Sequence, residues 1–415
     1  MNVFPEHFSA GSSKPTVAMA VCFALFLFTS AFSIAAAQIT LGLCLALSFW
    51  PVLAPWRETT HGLRPVYLAW GAHLGWLIIS SLVNDNPLRS LSAIREEWLI
   101  VILPLGIFLH RPAVWSRRLV VVLACGLLLA SIHGVIQHFT GWTWSADQNL
   151  HRAGVYWRLS GNFSHPLTYG YYVVTASVFM LTYFALAHRS LGRWNRILLA
   201  AATVGGLAAS ALCNSRGPLL ALAIGLAATS CLLGKWRWVV SAFVVLGLLM
   251  FAVAPEYPRV FVERVQNDLA SANPDGRLFI WTHSLKIAED NPVVGCGPGN
   301  FSEAYTEQIN SATNVRGQSH AHNDLLNQAA IGGVPGLALY MLFWIVVVTR
   351  LWRARGQAGT TGTAHALASG ALVASAAFLA GSMTEAAIAD EELRQLLFAL
   401  WAAGLSFSQP TGDRA

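Results

Sequence analysis

The chain has 415 residues, of which 55% are hydrophobic and only 11% charged, with a formal net charge of +6. An average soluble domain is about 25% charged, so this composition excludes a water-soluble surface and leaves lipid to cover the apolar area. The chain also has no phosphate-binding Walker loop and no soluble nucleotide domain, which argues against ATP hydrolysis by the chain itself.

Apolar runs long enough for a hydrocarbon layer of about 30 Å recur along the sequence. Spans are expected near residues 16–30, 32–53, 65–83, 98–109, 118–139, 166–187, 196–214, 218–234, 237–254, 325–349, 364–384 and 392–408. Ala35-Ala36-Ala37-Gln38 follows the first run as a signal-peptide cleavage site would, but the second run begins at once and favours retention. The expected fold is an all-α integral membrane protein of about twelve transmembrane helices. Residues 1–254 carry nine, 255–324 form a large outer loop with short interfacial helices, and 325–415 carry the last three.

The charges fit this map. With the N-terminus inside, fifteen of the 26 cations and three of the 20 acids fall in inside segments, a net +12 that leaves −6 for the opposite face. The positive balance is thus an expression of topology, and nucleic acid is not an expected partner. Five of the six cysteines, Cys22, Cys44, Cys125, Cys213 and Cys231, lie in apolar runs, so neither a disulfide framework nor a thiolate metal cluster is indicated.

Three outer segments depart from short connectors: residues 140–165, the Asn214-Ser215-Arg216-Gly217-Pro218 turn, and residues 255–324. In the first, Arg158 precedes Gly161-Asn162-Phe163-Ser164-His165-Pro166 and reads either as a third positive group or as a headgroup-facing arginine. In the second, the tight turn restricts Arg216 at a membrane edge, where a guanidinium is expensive without an anionic partner.

In the third, Asn273 reads as a helix cap with Pro274 in the first turn, and Leu278, Trp281, Leu285 and Ala288 form an apolar stripe too short to span a bilayer. Arg277 at such a start adds to the positive end of the helix dipole, a poor arrangement for stability and a good one for an anion. Gly295-Cys296-Gly297-Pro298-Gly299 could bring backbone N–H groups to a phosphate, although it reads more simply as a tight turn. Ser319-His320-Ala321-His322-Asn323-Asp324 then leads into a helix with Gly332-Gly333-Val334-Pro335-Gly336.

His322 could accept a proton from a sugar hydroxyl or merely cap a helix. His320 and His322 could share a metal if extended, but no neighbouring carboxylate completes a ligand set. Asp324, Glu303, Glu307 and Asp268 read as solvated loop acids, and Glu385, Asp390, Glu391 and Glu392 as an acidic loop marking orientation only.

These residues resemble the O-antigen ligase and polymerase superfamily of bacterial envelope enzymes. The likeness rests on the span layout, Ser215-Arg216-Gly217, Arg277 with Trp281, the 292–301 stretch, and His322-Asn323 followed by Gly333-Val334-Pro335-Gly336. It implies a GT-C-like glycosyltransferase in the bacterial inner membrane, among membrane lipids. There it would move a glycan from undecaprenyl pyrophosphate to lipid A–core oligosaccharide at the periplasmic face. His322 would activate the acceptor hydroxyl, Arg216 and Arg277 would clamp the pyrophosphate with Arg158 as a third group, and His320 and Asn323 would help bind substrate. No metal and no other cofactor is implied. A polymerase using a lipid-linked acceptor is the nearest alternative. A lipid or polysaccharide transporter is the other class, disfavoured because no inverted repeat is visible.

Overall fold

The computed structural model describes residues 14–49, 55–144, 150, 152–153, 156–213, 215–237, 276–309, 317–359 and 362–407, with a few single residues between 241 and 266. In chain order the α-helices are α1 (Lys14–Thr29), α2 (Ile34–Ser48), α3 (Pro55–Val83), α4 (Pro87–Ala93), α5 (Ile102–His110), α6 (Ala113–Thr140) and α7 (Pro166–Ala187). They continue with α8 (Arg193–Leu212), α9 (Arg216–Leu233), α10 (Arg277–Asp290), α11 (Phe301–Gln308), α12 (Asp324–Gln357), α13 (Thr363–Ser382) and α14 (Glu391–Leu405). A small antiparallel ladder pairs β1 (Arg152–Ala153) with β2 (Tyr156–Trp157).

Seven helices among the described residues are long and apolar enough to cross a membrane: Gly62–Val83 within α3, α6, α7 with its 3-10 extension to Ser190, α8, α9, α12 and α13. The protein is therefore a multi-pass, all-α membrane protein in its described part. The run expected at 98–109 is split into a 3-10 turn over Arg95–Val101 and the nine-residue α5. The run expected at 237–254 lies mostly outside the described residues, as do Asn273 and Pro274.

Helices α7 and α13 occupy the middle of the bundle, flanked by α8, α9, α12 and α14. Tyr169, Tyr171, Tyr172 and Trp401 are fully buried there. Small residues let these helices approach, as is usual where apolar lipid offers no hydrophobic gain from association. A side chain at Gly381 would meet the ring of Tyr171, and one at Gly370 the ring of Phe179.

Helix α12 has 34 residues, a length of about 51 Å at 1.5 Å per residue. It is broken at Gly333, whose φ of 65° and ψ of −169° only glycine adopts readily. Pro335 has no N–H for the carbonyl of Ile331, and the break frees neighbouring groups. The 292–299 turn takes them up. Cys296 N–H donates to Ala330 O (2.8 Å), Gly297 N–H to Ile331 O (3.1 Å), and Val334 N–H to Pro292 O (2.8 Å). Ser80 Oγ donates to Val294 O and Ile331 O, and Trp76 Nε1 to Gly332 O.

Gly295, Gly297 and Gly299 all have positive φ. The glycine turn is a lock on the kinked helix, and its N–H groups at 296 and 297 are consumed there, which removes the phosphate-cradle reading.

A side chain at Gly333 would fall 2.2 Å from Val293 O. Gly333→Ala is accordingly expected to destabilise the protein by ~1–3 kcal/mol. Thermal unfolding in detergent measures this, and an unchanged midpoint would mean that the kink is not fixed by that residue.

The interfacial helix differs from expectation in its buried face. Helix α10 packs Ile280, Ser284, Ile287 and Ala288 inward, against α12 and α11. Leu278 and Leu285 point outward. The apolar stripe of the sequence is real, but only Ala288 of it is core, because docking chose the neighbouring Ile280–Ile287 face.

Candidate active site

The chemistry-bearing residues gather at one end of the bundle. The segment 317–323 brings His320 and His322 to the start of α12. Asn323 caps that helix, its Oδ1 accepting Leu326 N–H (3.1 Å), while its Nδ2 donates to Met383 O (3.0 Å). His322 has φ 49°, the only positive value at a non-glycine residue among those described. A strained backbone held by its surroundings is a common mark of a functional position. Trp281, one turn after Arg277 on α10, donates from Nε1 to His322 O (3.4 Å).

The residue that organises this site is Glu385, a member of the acidic loop expected from sequence only to mark orientation. Its side chain is 7% exposed. His322 Nδ1 donates to Glu385 Oε1 at 2.7 Å, His320 Nδ1 lies 3.4 Å from the same oxygen, and Arg277 donates to Oε2 at 3.3 Å. His320 and His322 rings meet edge to face with centroids 4.2 Å apart.

Burial by itself would push the Glu385 carboxyl up. The hydrogen bond from His322 and the charges of His322, His320 and Arg277 outweigh it and hold the group at about 2. Burial instead pushes His320 down to about 4. Asp390, five residues further on, is pushed up to about 7 chiefly by burial, although Thr168 donates to it at 2.8 Å. One short loop thus holds two carboxylates whose surroundings drive them apart.

That loop is braced from several sides. Ile388 N–H donates to both oxygens of Asp324 at 3.3 Å, and Tyr340 OH donates to Asp324 at 3.2 Å. Arg394 donates to Ile388 O and, at 2.8 Å, to Glu97, which also receives Trp70 Nε1. Asp324, expected on a solvated surface, is 1% exposed, because the first turn of α12 is packed beneath this loop. Glu303 and Glu307 behave as expected of surface acids, with Glu303 paired to Arg89.

Arg216 and Arg277 each occupy the first position of a helix, α9 and α10. The space that a side chain at Gly217 would need is filled by Tyr171 OH and Thr384 Oγ1. Tyr171 in turn donates to Gly381 O. The start of α9 is thereby pressed against Thr384, the neighbour of Glu385.

Arg158 joins the same corner by donating to Ser215 Oγ at 2.9 Å. Gln137 fixes the turn that carries Arg158, its Oε1 accepting from the N–H groups of Ser160 (2.7 Å) and Gly161 (2.9 Å). The three expected arginines, the two histidines and Asn323 are therefore brought together, and Glu385 is the addition.

His320, His322 and Glu385 present donor atoms within 4.8 Å of one another, which suits a divalent cation. No carboxylate neighbours the two histidines in sequence, but the fold supplies one in Glu385. Arg277 on the far oxygen of Glu385 opposes a cation there, and the same atoms equally form a carboxylate-oriented histidine.

Residues 199–341 match the sequence family described as O-antigen ligase. No curated protein matches the chain. The matched segment contains Arg216, Arg277, His320, His322 and Asn323. Arg158 and Glu385 lie outside it, so the bundle, not that segment alone, completes the site.

Proposed function

The chain carries an O-antigen ligase family segment over residues 199–341, and from that premise we propose that it is a glycosyltransferase ligating a glycan from undecaprenyl pyrophosphate onto lipid A–core oligosaccharide. The observation that carries this reading is the convergence on Glu385. A buried carboxylate orients His322 through Nδ1, beside helices that begin with arginine.

With Nδ1–H held by Glu385, the other nitrogen, Nε2, is the proton acceptor. It takes the proton of the acceptor hydroxyl as that oxygen attacks the anomeric carbon. The bond from that carbon to the pyrophosphate oxygen breaks, its electron pair leaves with the pyrophosphate, and single displacement inverts the centre. Charge grows on the leaving oxygens, where guanidiniums fixed in advance stabilise it more than in the ground state. Gln318 Oε1, 3.2 Å from Nε2, occupies the position at which the hydroxyl would arrive, so the Gln318 side chain yields as the acceptor binds.

This reading needs the 255–324 loop, the ends of α6 and α13 and the start of α9 on the periplasmic face of the inner membrane, in a GT-C-like plan of about twelve spans. Reporter fusions test it. Alkaline phosphatase fused at Arg355 should be inactive and a fusion within 255–275 active, and the opposite pattern would overturn the topology.

Transfer itself is tested with purified protein, undecaprenyl-pyrophosphate glycan and lipid A–core, without nucleotide or added metal. Ligation should proceed and resist EDTA, and His320→Ala should lose much less than His322→Ala. Inhibition by EDTA reversed by one divalent ion, with both histidine variants failing alike, would assign the cluster to a metal. Growth of the lipid-linked glycan in place of lipid A–core modification would assign the enzyme as a polymerase.

A further inference from the structure

A cavity of about 430 Å³ lies between the end of α1, the residues after α6, the 160–165 turn and the start of α14. The volume is within the roughly 300–1,000 Å³ of small-molecule sites. Its lining combines an indole with hydroxyls, an amide and a carboxylate: Trp144, Ser33, Ser164, Asn162 and Glu392. Nothing in the reaction described above uses these groups.

Trp144 is 54% exposed, yet it is held in place. It stacks on His133 with centroids 4.7 Å apart and planes within 15°, and on Phe32 at 5.7 Å. Asn162 Oδ1 is buried and has no hydrogen-bond partner, and neither has either ring nitrogen of His133. A buried polar atom is seldom left unpaired unless a ligand or solvent completes it. The missing partner of Asn162 Oδ1 must be a donor.

Charge narrows the ligand. Glu392 lines the cavity, and Glu391 and Glu96 lie close enough to act on it electrostatically. A phosphate would be repelled here, in contrast to the arginine corner formed by Arg158, Arg216 and Arg277. An uncharged ring bearing hydroxyls on its edge and C–H groups on its face satisfies both kinds of wall.

We propose that this cavity is a sugar-binding subsite that seats an uncharged pyranose ring against Trp144, with its hydroxyls donating to Asn162 and Glu392. The subsite rests on the glycosyl-transfer reading for its substrate class. It is joined to the reaction centre by one segment of chain. The turn supplying Asn162 and Ser164 continues at one end to Arg158 on Ser215. At the other it reaches His165, which lies close enough to His320 to interact with it electrostatically. A glycan seated in the cavity is thus held by the same turn that carries part of the clamp.

The test uses the full chain in detergent and two lipid-free probes: core oligosaccharide released from lipid A, and the O-antigen repeat without its pyrophosphate lipid. Saturation-transfer NMR and calorimetry report binding, and the probe that binds identifies whether acceptor or donor glycan occupies the site. Trp144→Ala and Asn162→Ala should each weaken that probe by about tenfold or more. Trp144→Phe, which keeps an aromatic face, should recover most of the affinity. KM for the corresponding full substrate should rise in parallel.

Binding of neither probe, or binding unchanged in both alanine variants, overturns the subsite. Trp144-dependent glycan binding without any transfer would uphold the subsite and overturn the ligase reading. Transfer with an unaltered KM in Trp144→Ala would do the reverse.

Discussion

His322→Ala and Glu385→Gln are each expected to lower glycan transfer by about 10²- to 10⁴-fold, the usual worth of positioned proton transfer and of the carboxylate that orients its histidine. With His322 Nδ1 held by Glu385 at 2.7 Å, Nε2 is the ring nitrogen left to take the acceptor proton once Gln318 has given way. The contact also places a negative charge where the imidazolium forms. Glutamine keeps the shape and loses the charge, so its side chain can turn an N–H toward Nδ1 and leave the proton on the wrong nitrogen.

Because both residues serve one proton transfer, the double variant should be little worse than either single one. Glu385 itself should stay ionised over the working range, so the carboxylate should add no pH dependence of its own to the wild-type rate. The Glu385 carboxyl lies at about 2 in the folded protein against an ordinary 4.5. Its contribution to stability is therefore complete above about 4.5 and is lost only as the pH falls through about 2. Single-turnover transfer assays from pH 5 to 9 measure this. Wild-type rates in Glu385→Gln would remove the carboxylate from the mechanism, and additive losses in the double variant would separate the two residues' roles.

Arg216→Ala and Arg277→Ala should each reduce turnover by about 10²- to 10³-fold while the protein remains folded in the membrane. The leaving pyrophosphate gathers negative charge, and both guanidiniums stand at helix starts whose dipoles have the same sign. Lysine should rescue poorly, since a point charge does not replace a planar fork.

The two sites should differ in one respect. Arg277 also pairs with Glu385, so its loss disturbs the histidine as well as the clamp, whereas Arg216→Ala should spare acceptor binding. Arg158→Ala should cost less, because that side chain already donates to Ser215. Measuring kcat and both KM values for the three variants decides the assignment, and full activity in either Arg216→Ala or Arg277→Ala would take that residue out of the clamp.

The membrane helices and the arginines at helix starts were legible in the sequence because their signals are local. Hydropathy over some twenty residues, a tight Gly-Pro turn and a cap residue before a helix all act within a few turns of chain. The break at Gly333 with Pro335 falls inside the helix that the sequence starts after Asn323-Asp324, although its cap is Asn323 and not the neighbouring His322.

Three features were decided only by packing. The first is Glu385, 63 residues from His322, which sits in an acidic loop and has no periodicity to mark it. It acquires its role because α12 and α13 stand side by side and bury the loop between α13 and α14. The second is Asp324, buried for the same reason. The third is the inward face of α10, where two apolar stripes compete and the neighbouring helices select Ile280 and Ile287 over Leu278 and Leu285. A short-range pattern determines which backbone forms and which residues stand at its ends. Which carboxylate loses its water, and to which histidine it is then bound, depends on contacts between distant segments that no local pattern encodes.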